Sequence, residues 1–234
     1  MKKQFATFLL LLLVAVLHGQ SAKQYLLKMN EVYSNARTLS MNVEVQYFMG
    51  TNDVTPFQRM KGDMAKSGAS YYSSLMGKTT IVHKGLTLYV DEGQRLILYG
   101  KNEMDKKSPL PAEIPDSTVY GSDATYTLGK GTATSVRVII TPKDKRIYRS
   151  IEMLINKQTY VMEEVVYRYT IEEDPAGSVQ TVKLMYSAVM INQPVAESKF
   201  STSKYVTRSK GKLVGTGAYA AYEVIEQPVI KTPY

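Results

Sequence analysis

Met41-Asn42-Val43-Glu44-Val45-Gln46-Tyr47-Phe48-Met49 decides the fold class. Met41, Val43, Val45, Tyr47 and Met49 alternate with Asn42, Glu44, Gln46 and Phe48. A strand turns successive side chains to opposite faces, so this run predicts a strand with one apolar face and one mostly polar face. Similar runs fill most of the chain downstream: Ser70 to Met76, Thr79 to His83, Leu86 to Asp91, Arg95 to Tyr99, Ser135 to Thr141, Tyr148 to Ile155, Tyr160 to Ile171, Val179 to Ile191, and the tail near Ala218 to Ile225. Turn residues separate them at Glu92-Gly93, at Asn156-Lys157-Gln158 and at Asp174-Pro175-Ala176-Gly177. About ten strands at this spacing predict an antiparallel sheet or partly closed barrel. Crossover helices are missing, which excludes a parallel α/β fold.

Upstream of Met41 the period is helical. Tyr25, Leu26, Met29, Val32 and Tyr33 recur at helix spacing, and Asn35 ends the pattern. Further upstream, Lys2 and Lys3 precede an apolar run from Phe5 to Leu17 and the small and polar residues Gly19, Gln20, Ser21 and Ala22. That order is a secretory signal peptide, and the run falls short of the ~20 residues of a bilayer span. The expected division is a signal peptide over 1–22, cut after Ser21 or Ala22, and a single domain over 23–234 in the periplasm. The chain has no cysteine, which excludes disulfides, thiol catalysis, cysteine-ligated zinc and acylation of an N-terminal cysteine. Loss of Lys2 and Lys3 lowers the formal charge from +8 by two. A basic chain seeks anionic partners. Export makes these lipid head groups or acidic envelope components, and no nucleic acid is expected.

Nothing in the sequence marks an enzyme, and no cofactor or metal is expected. Gly77-Lys78-Thr79 ends like a phosphate-binding loop, but Tyr72 stands where the motif needs its first glycine. Gly68-Ala69-Ser70-Tyr71-Tyr72 lacks the second glycine of a nucleophile elbow. The domain has one histidine, His83, in an alternating run. Glu163 and Glu164 are neighbours in a strand and are expected on opposite faces. No His, Cys, Asp and Glu cluster has metal-ligand spacing. The unusual feature is the choice of apolar residues: all 18 tyrosines lie downstream of the leader, as does every methionine but Met1, and there is no tryptophan. Tyrosine and methionine suit an adaptable apolar surface. Lys101 to Asp123, with Pro109, Pro111 and Pro115, interrupts the strands and is a candidate lid.

Together these elements resemble the outer-membrane lipoprotein carrier (LolA-like) family. The resemblance lies in the helix of the Tyr25 to Tyr33 type, the strand opening Thr38-Leu39-Ser40-Met41-Asn42-Val43, and the Gly-acidic-apolar strand Gly62-Asp63-Met64-Ala65-Lys66. It continues through the aromatic Tyr71-Tyr72, the run Ile81-Val82-His83-Lys84-Gly85-Leu86-Thr87-Leu88-Tyr89, the turn Ile155-Asn156-Lys157-Gln158-Thr159 and the late element Asn192 to Phe200. It covers most of the exported chain. One departure is plain: the best-studied carriers have arginine before proline at the end of the Gly-acidic-apolar strand, and here Lys66 is followed by Ser67-Gly68.

The resemblance implies an incomplete antiparallel β-barrel, with helices over an apolar concavity that takes acyl chains. It implies a carrier of lipidic groups whose partner is a lipid or acylated protein, with lipoprotein sorting as one form of that role. The expected lining residues are Met41, Val43, Val45, Tyr72, Leu88, Tyr89 and Leu98, and Val43→Glu is expected to abolish lipid retention. The alternative is an envelope interaction module without a small ligand. Its expected contacts with an anionic membrane surface or an envelope protein are Lys204, Arg208, Lys210 and Lys212.

Overall fold

The computed structural model describes residues 21–50, 53–102, 123–170 and 180–230. The signal-peptide run, the Asp174–Gly177 turn and nearly all of the candidate lid lie outside these residues. Helix α1 (Ala22–Ser34) is closed at its start by a capping box. The Ser21 side chain accepts from the Gln24 N–H, and the Gln24 side chain accepts from the Ser21 N–H. Its inward residues Ala22, Leu26, Met29 and Tyr33 are buried, as the helical spacing predicts.

The strands follow as β1 (Thr38–Phe48), β2 (Gln58–Ser67), β3 (Ser70–Leu75), β4 (Lys78–His83), β5 (Leu86–Asp91) and β6 (Leu96–Asn102). Then come β7 (Thr125–Gly129), β8 (Ser135–Thr141), β9 (Tyr148–Asn156), β10 (Met162–Tyr169) and β11 (Thr181–Ile191). The last are β12 (Val206–Ser209), β13 (Lys212–Gly215) and β14 (Glu223–Ile230). Twelve of them form one open, curved sheet in the order β14-β6-β5-β4-β3-β2-β1-β11-β10-β9-β8-β7, which is the expected incomplete barrel. Two antiparallel meanders, β1 to β6 and β7 to β11, meet where β1 pairs with β11. Two-residue turns with both φ positive, Met76-Gly77 and Lys84-Gly85, close the hairpins β3–β4 and β4–β5. The structure departs from a purely antiparallel sheet at one edge. β14 runs parallel to β6, because the chain first crosses the sheet as an irregular strap.

Directly paired residues point to the same side of a sheet, so the register separates two faces. The helix face holds Leu39, Met41, Val43 and Val45 of β1 and continues through Tyr186 and Leu184, Val165, Met153 and Ile151, to Val138 and Ile140. These residues and the inward side of α1 form one buried cluster. The strap face holds Ala65, Ile81, Leu88, Val90 and Ile97, covered by Phe200, Tyr205 and Val206. Phe200 ends a short 3-10 turn (Glu197–Phe200), and its burial explains the late polar stretch that finishes in Phe.

The strap face of β8 to β11 is polar. A chain of ion pairs runs Arg168–Glu152–Arg137–Glu164–Lys183, with N···O distances from 2.6 to 3.3 Å. Glu163 is here too, contrary to the expectation of opposite faces. A β-bulge between Met162 and Glu164 inserts one residue, so Glu163 reaches Ser135 and Asn156 on the same side as Glu164.

Candidate functional site

The helix face has two unlike halves. Under α1, the rows of β7 to β11 and β1 are filled by aliphatic side chains and methionine. Tyr33 locks the helix in place: its hydroxyl accepts from the Met162 N–H at 3.2 Å, and burial pushes its pKa up to about 12. Lys28 Nζ donates to Tyr160 Oη at 2.9 Å, and Lys23 lies 4.9 Å from the Tyr126 ring centroid. A helix of 13 residues is ~20 Å long, about four strand spacings, while twelve strands span ~50 Å. Helix α1 therefore cannot cover β3 to β6.

On those strands the same face carries cross-strand rows of mixed character. One row runs Met41, Met64, Ser73, Thr80, Tyr89, Leu98. The next runs Leu39, Lys66, Tyr71, Val82, Thr87, Gly100. Tyr71, Val82 and Thr87 are buried, and Tyr89 and Leu98 are half-buried. Close strand approach depends on Gly62, where an added Cβ would meet the Ser74 carbonyl at 2.2 Å. Polar groups here are partly spoken for. Asp91 accepts from the Gln94 N–H and lies 3.6 Å from Lys78 Nζ, and Lys78 also bonds Tyr89. Lys66 and the Thr87 hydroxyl have no such partners among the described residues.

The expected lining residues divide three ways. Met41, Val43 and Val45 lie on the helix face but are 2–3% exposed within the packed cluster. Val43→Glu would therefore break the core and so test the fold, not a cavity. Tyr89 and Leu98 are on the same face beyond the helix. Tyr72 and Leu88 point the opposite way, to the strap face: Leu88 is sealed beneath the strap, and Tyr72 lies beneath Lys199, 4.5 Å from its ring. Lys199 also forms an ion pair with Asp63. Lys66, Tyr71, Val82 and Thr87 belong to the helix face but were not among the expected lining. The signal for Lys66 was present, because it alternates in step with Gly62 and Met64.

The basic residues of the tail are brought together only in part. Arg208, Lys210 and Lys212 share the β12–β13 hairpin, but Arg208 is engaged by Glu226 at 2.7 Å and by the Gly211 carbonyl. Lys204 precedes the hairpin and lies 5.2 Å from the Tyr205 ring centroid.

Two further places hold polar groups on the strap face. A cleft of about 260 Å³ lies between Ser40, Asp63, Ala65 and Met190 on the sheet and Val195 and Lys199 above it. His83 stacks on Phe200, accepts or donates at Ser70 Oγ (2.8 Å), and sits 3.8 Å from Glu197. The Glu197 carboxylate is 75% exposed and nearer to Lys84, at 3.2 Å, so it does not orient the imidazole for nucleophilic catalysis. Among the described residues no group of three or more His, Cys, Asp or Glu could hold a metal, and no helix is long and apolar enough to cross a membrane.

The class is therefore an open half-barrel with a helix on one face and a strap on the other. Among solved structures it is similar to the Pseudomonas aeruginosa MucA/MucB complex, at 10% identity and a TM-score of 0.48. That match covers 87% of this chain and 64% of the other. It is similar to an uncharacterized conserved protein of Thermus thermophilus, at 10% identity and 0.48, covering 89% of this chain and 100% of that one. It is also similar to a LolA superfamily protein of Nitrosomonas europaea, at 11% identity and 0.32, covering 79% and 99%. No family model matches the sequence, and neither does any curated protein.

Proposed function

We propose that the protein is a periplasmic binder or carrier of lipidic groups, whose acyl chain lies on the helix face over β3 to β6. One observation carries this reading. A row of that face continues past the reach of α1 and ends in the half-buried, largely apolar Tyr89 and Leu98. Apolar surface of this kind is stabilised by whatever removes it from water, at ~25 cal/mol per Å². The partner is accordingly a lipid or an acylated protein, and sorting of lipoproteins is one role such a site can serve. Signal-peptide removal is proposed upstream of Ser21, because a cut after Ser21 or Ala22 would take away the helix cap or its first buried residue.

The test is uptake of a fluorescent fatty acid by the exported protein and by Leu98→Glu. The reading predicts saturable uptake that Leu98→Glu abolishes while the melting temperature stays within a few degrees. Equal uptake by both proteins would remove this face from the site. The second reading, an interaction module, is favoured by Lys210 and Lys212, exposed at the tip of the β12–β13 hairpin. It predicts salt-sensitive binding to anionic vesicles, each lysine contributing ~1 kcal/mol. Vesicle binding unchanged in the double variant Lys210→Gln, Lys212→Gln would discard it.

A further inference from the structure

We propose that β7, one of the two outer strands of the sheet, takes up an extended acidic segment of a partner protein as an added strand. The site lies at the opposite edge of the sheet from Leu98 and goes beyond the lipid reading. A strand at a sheet edge turns a row of backbone N–H and C=O groups outward, and natural proteins blunt such edges with proline, bulges or charge. β14 is blunted in all three ways. Pro228 lacks an N–H, the register with β6 slips between Gln227 and Val229, and Glu223 and Glu226 stand on the strand, the second ion-paired with Arg208. β7 has none of these devices. Its sequence is Thr125-Tyr126-Thr127-Leu128-Gly129, and its register with β8 is unbroken. Among the described residues no strand lies beyond it. Thr125, Thr127 and Leu128 are exposed, Leu128 by 50%.

The residues of the edge select the strand that fits. Tyr126 and Leu128 pair with Ile140 and Val138, so they lie on the helix face, and Thr125 and Thr127 lie on the strap face. An added strand is held by main-chain hydrogen bonds, and its alternate side chains give the specificity. Here it sets apolar side chains beside Tyr126 and Leu128 and small polar ones beside the threonines. Nothing within β7 is charged, so selection by charge falls to its flanks. The exposed Lys23 has its Nζ 4.9 Å from the Tyr126 ring centroid, and the exposed Lys130 follows directly on Gly129. Lys143 stands beyond the start of β7, 3.4 Å from Asp123, the one acid among these flanking residues. Three ammonium groups against one carboxylate favour acids at the ends of the incoming strand. Pairing β7 with that of a second copy would instead bring the basic flanks of both chains to one seam, and an acidic segment removes that repulsion.

The experiment is fluorescence anisotropy of two labelled peptides with the protein: Glu-Thr-Val-Thr-Val-Thr-Glu, and the same peptide with lysine at both ends. The expected result is that the acidic peptide binds about tenfold tighter at low salt, because it gains attraction where the basic one meets repulsion. Added salt should narrow that ratio. The double variant Lys23→Glu, Lys130→Glu should reverse the preference, and Leu128→Glu should weaken the acidic peptide about tenfold. NMR locates the contact: on adding the acidic peptide, amide shifts should be confined to β7 and the β8 residues beside it. A preference that survives the charge reversal, or shifts that centre on Tyr89 and Leu98, overturns the proposal. So does a wild type that binds neither peptide, and the lipid reading then stands untouched. Sedimentation of the protein alone is the last arm. A monomer at all concentrations agrees with the proposal, and a dimer that Leu128→Glu dissolves assigns the edge to a second copy and overturns it.

Discussion

The two halves of the helix face are built from the same repeating strand and differ in what they carry. Beneath α1, Val138, Met153, Val165 and Leu184 meet Leu26 and Met29 in a cluster closed by tyrosine contacts at the helix. Over β2 to β6 the same side of the sheet carries Lys66, Ser73, Thr80 and Thr87 among Tyr71, Val82, Tyr89 and Leu98. A protein needs only one of these to hold its fold together. The first half secures the sheet and the helix; the second keeps polar groups where packing alone would select against them. Buried polar groups that no structural partner satisfies are where a ligand is to be sought.

Substitutions can break this contrast, and the largest effect falls in the covered half. Met153→Ala should cost ~2–5 kcal/mol by leaving a cavity under the helix. Leu98→Ala in the other half should cost ~1 kcal/mol or less. Denaturant unfolding of the two variants checks this, and equal losses would mean that the halves are one core. Next comes Tyr33→Phe, which leaves the buried Met162 N–H without an acceptor and should cost ~1–3 kcal/mol. It should also alter the alkaline limb. Tyr33 keeps its proton up to about 12 in the folded state, whereas the unfolded chain loses it near ~10. The wild type therefore loses stability as pH rises through that window, and Tyr33→Phe should lose less.

Smaller effects sharpen the comparison at its margins. Ser21→Ala removes the helix cap and should cost ~1 kcal/mol in a thermal melt. Lys66→Met should leave the protein as stable as the wild type or slightly more so. The sign follows from its lowered pKa: between the folded value and the ~10.4 of a free lysine, the unfolded chain binds more protons. Stability therefore rises with pH across that interval in the wild type, and the rise should be missing in Lys66→Met. A variant less stable than the wild type at neutral pH would mean that the lysine has a structural partner.

Much of this fold was legible in the residues themselves. Tyr25, Leu26, Met29 and Tyr33 announced α1, and the alternation from Met41 to Tyr47 announced β1, because each pattern is a local consequence of its period. The turn at Glu92-Gly93 was legible for the same reason. What local pattern could not supply was relation across the sheet. Tyr72 and Leu88 read as apolar strand residues, but which face each joins depends on register with β2 and β4, and both turn to the strap. Glu163 escaped the alternation rule through a one-residue bulge. β7, β12 and β13 are too short for periodicity to register, and the parallel pairing of β14 with β6 is a tertiary event. Lys66 alternated with Met64 in plain view, but only the depth of the sheet distinguishes a buried lysine from a solvated one.

The central claim is that the half of the helix face beyond α1 is a lipid site. Its most direct test is native mass spectrometry of the protein, purified without detergent, followed by extraction and identification of what it carries. The account predicts an amphiphile bound at about one per protein and absent from Leu98→Glu. Empty protein that also takes up no added fatty acid would contradict it.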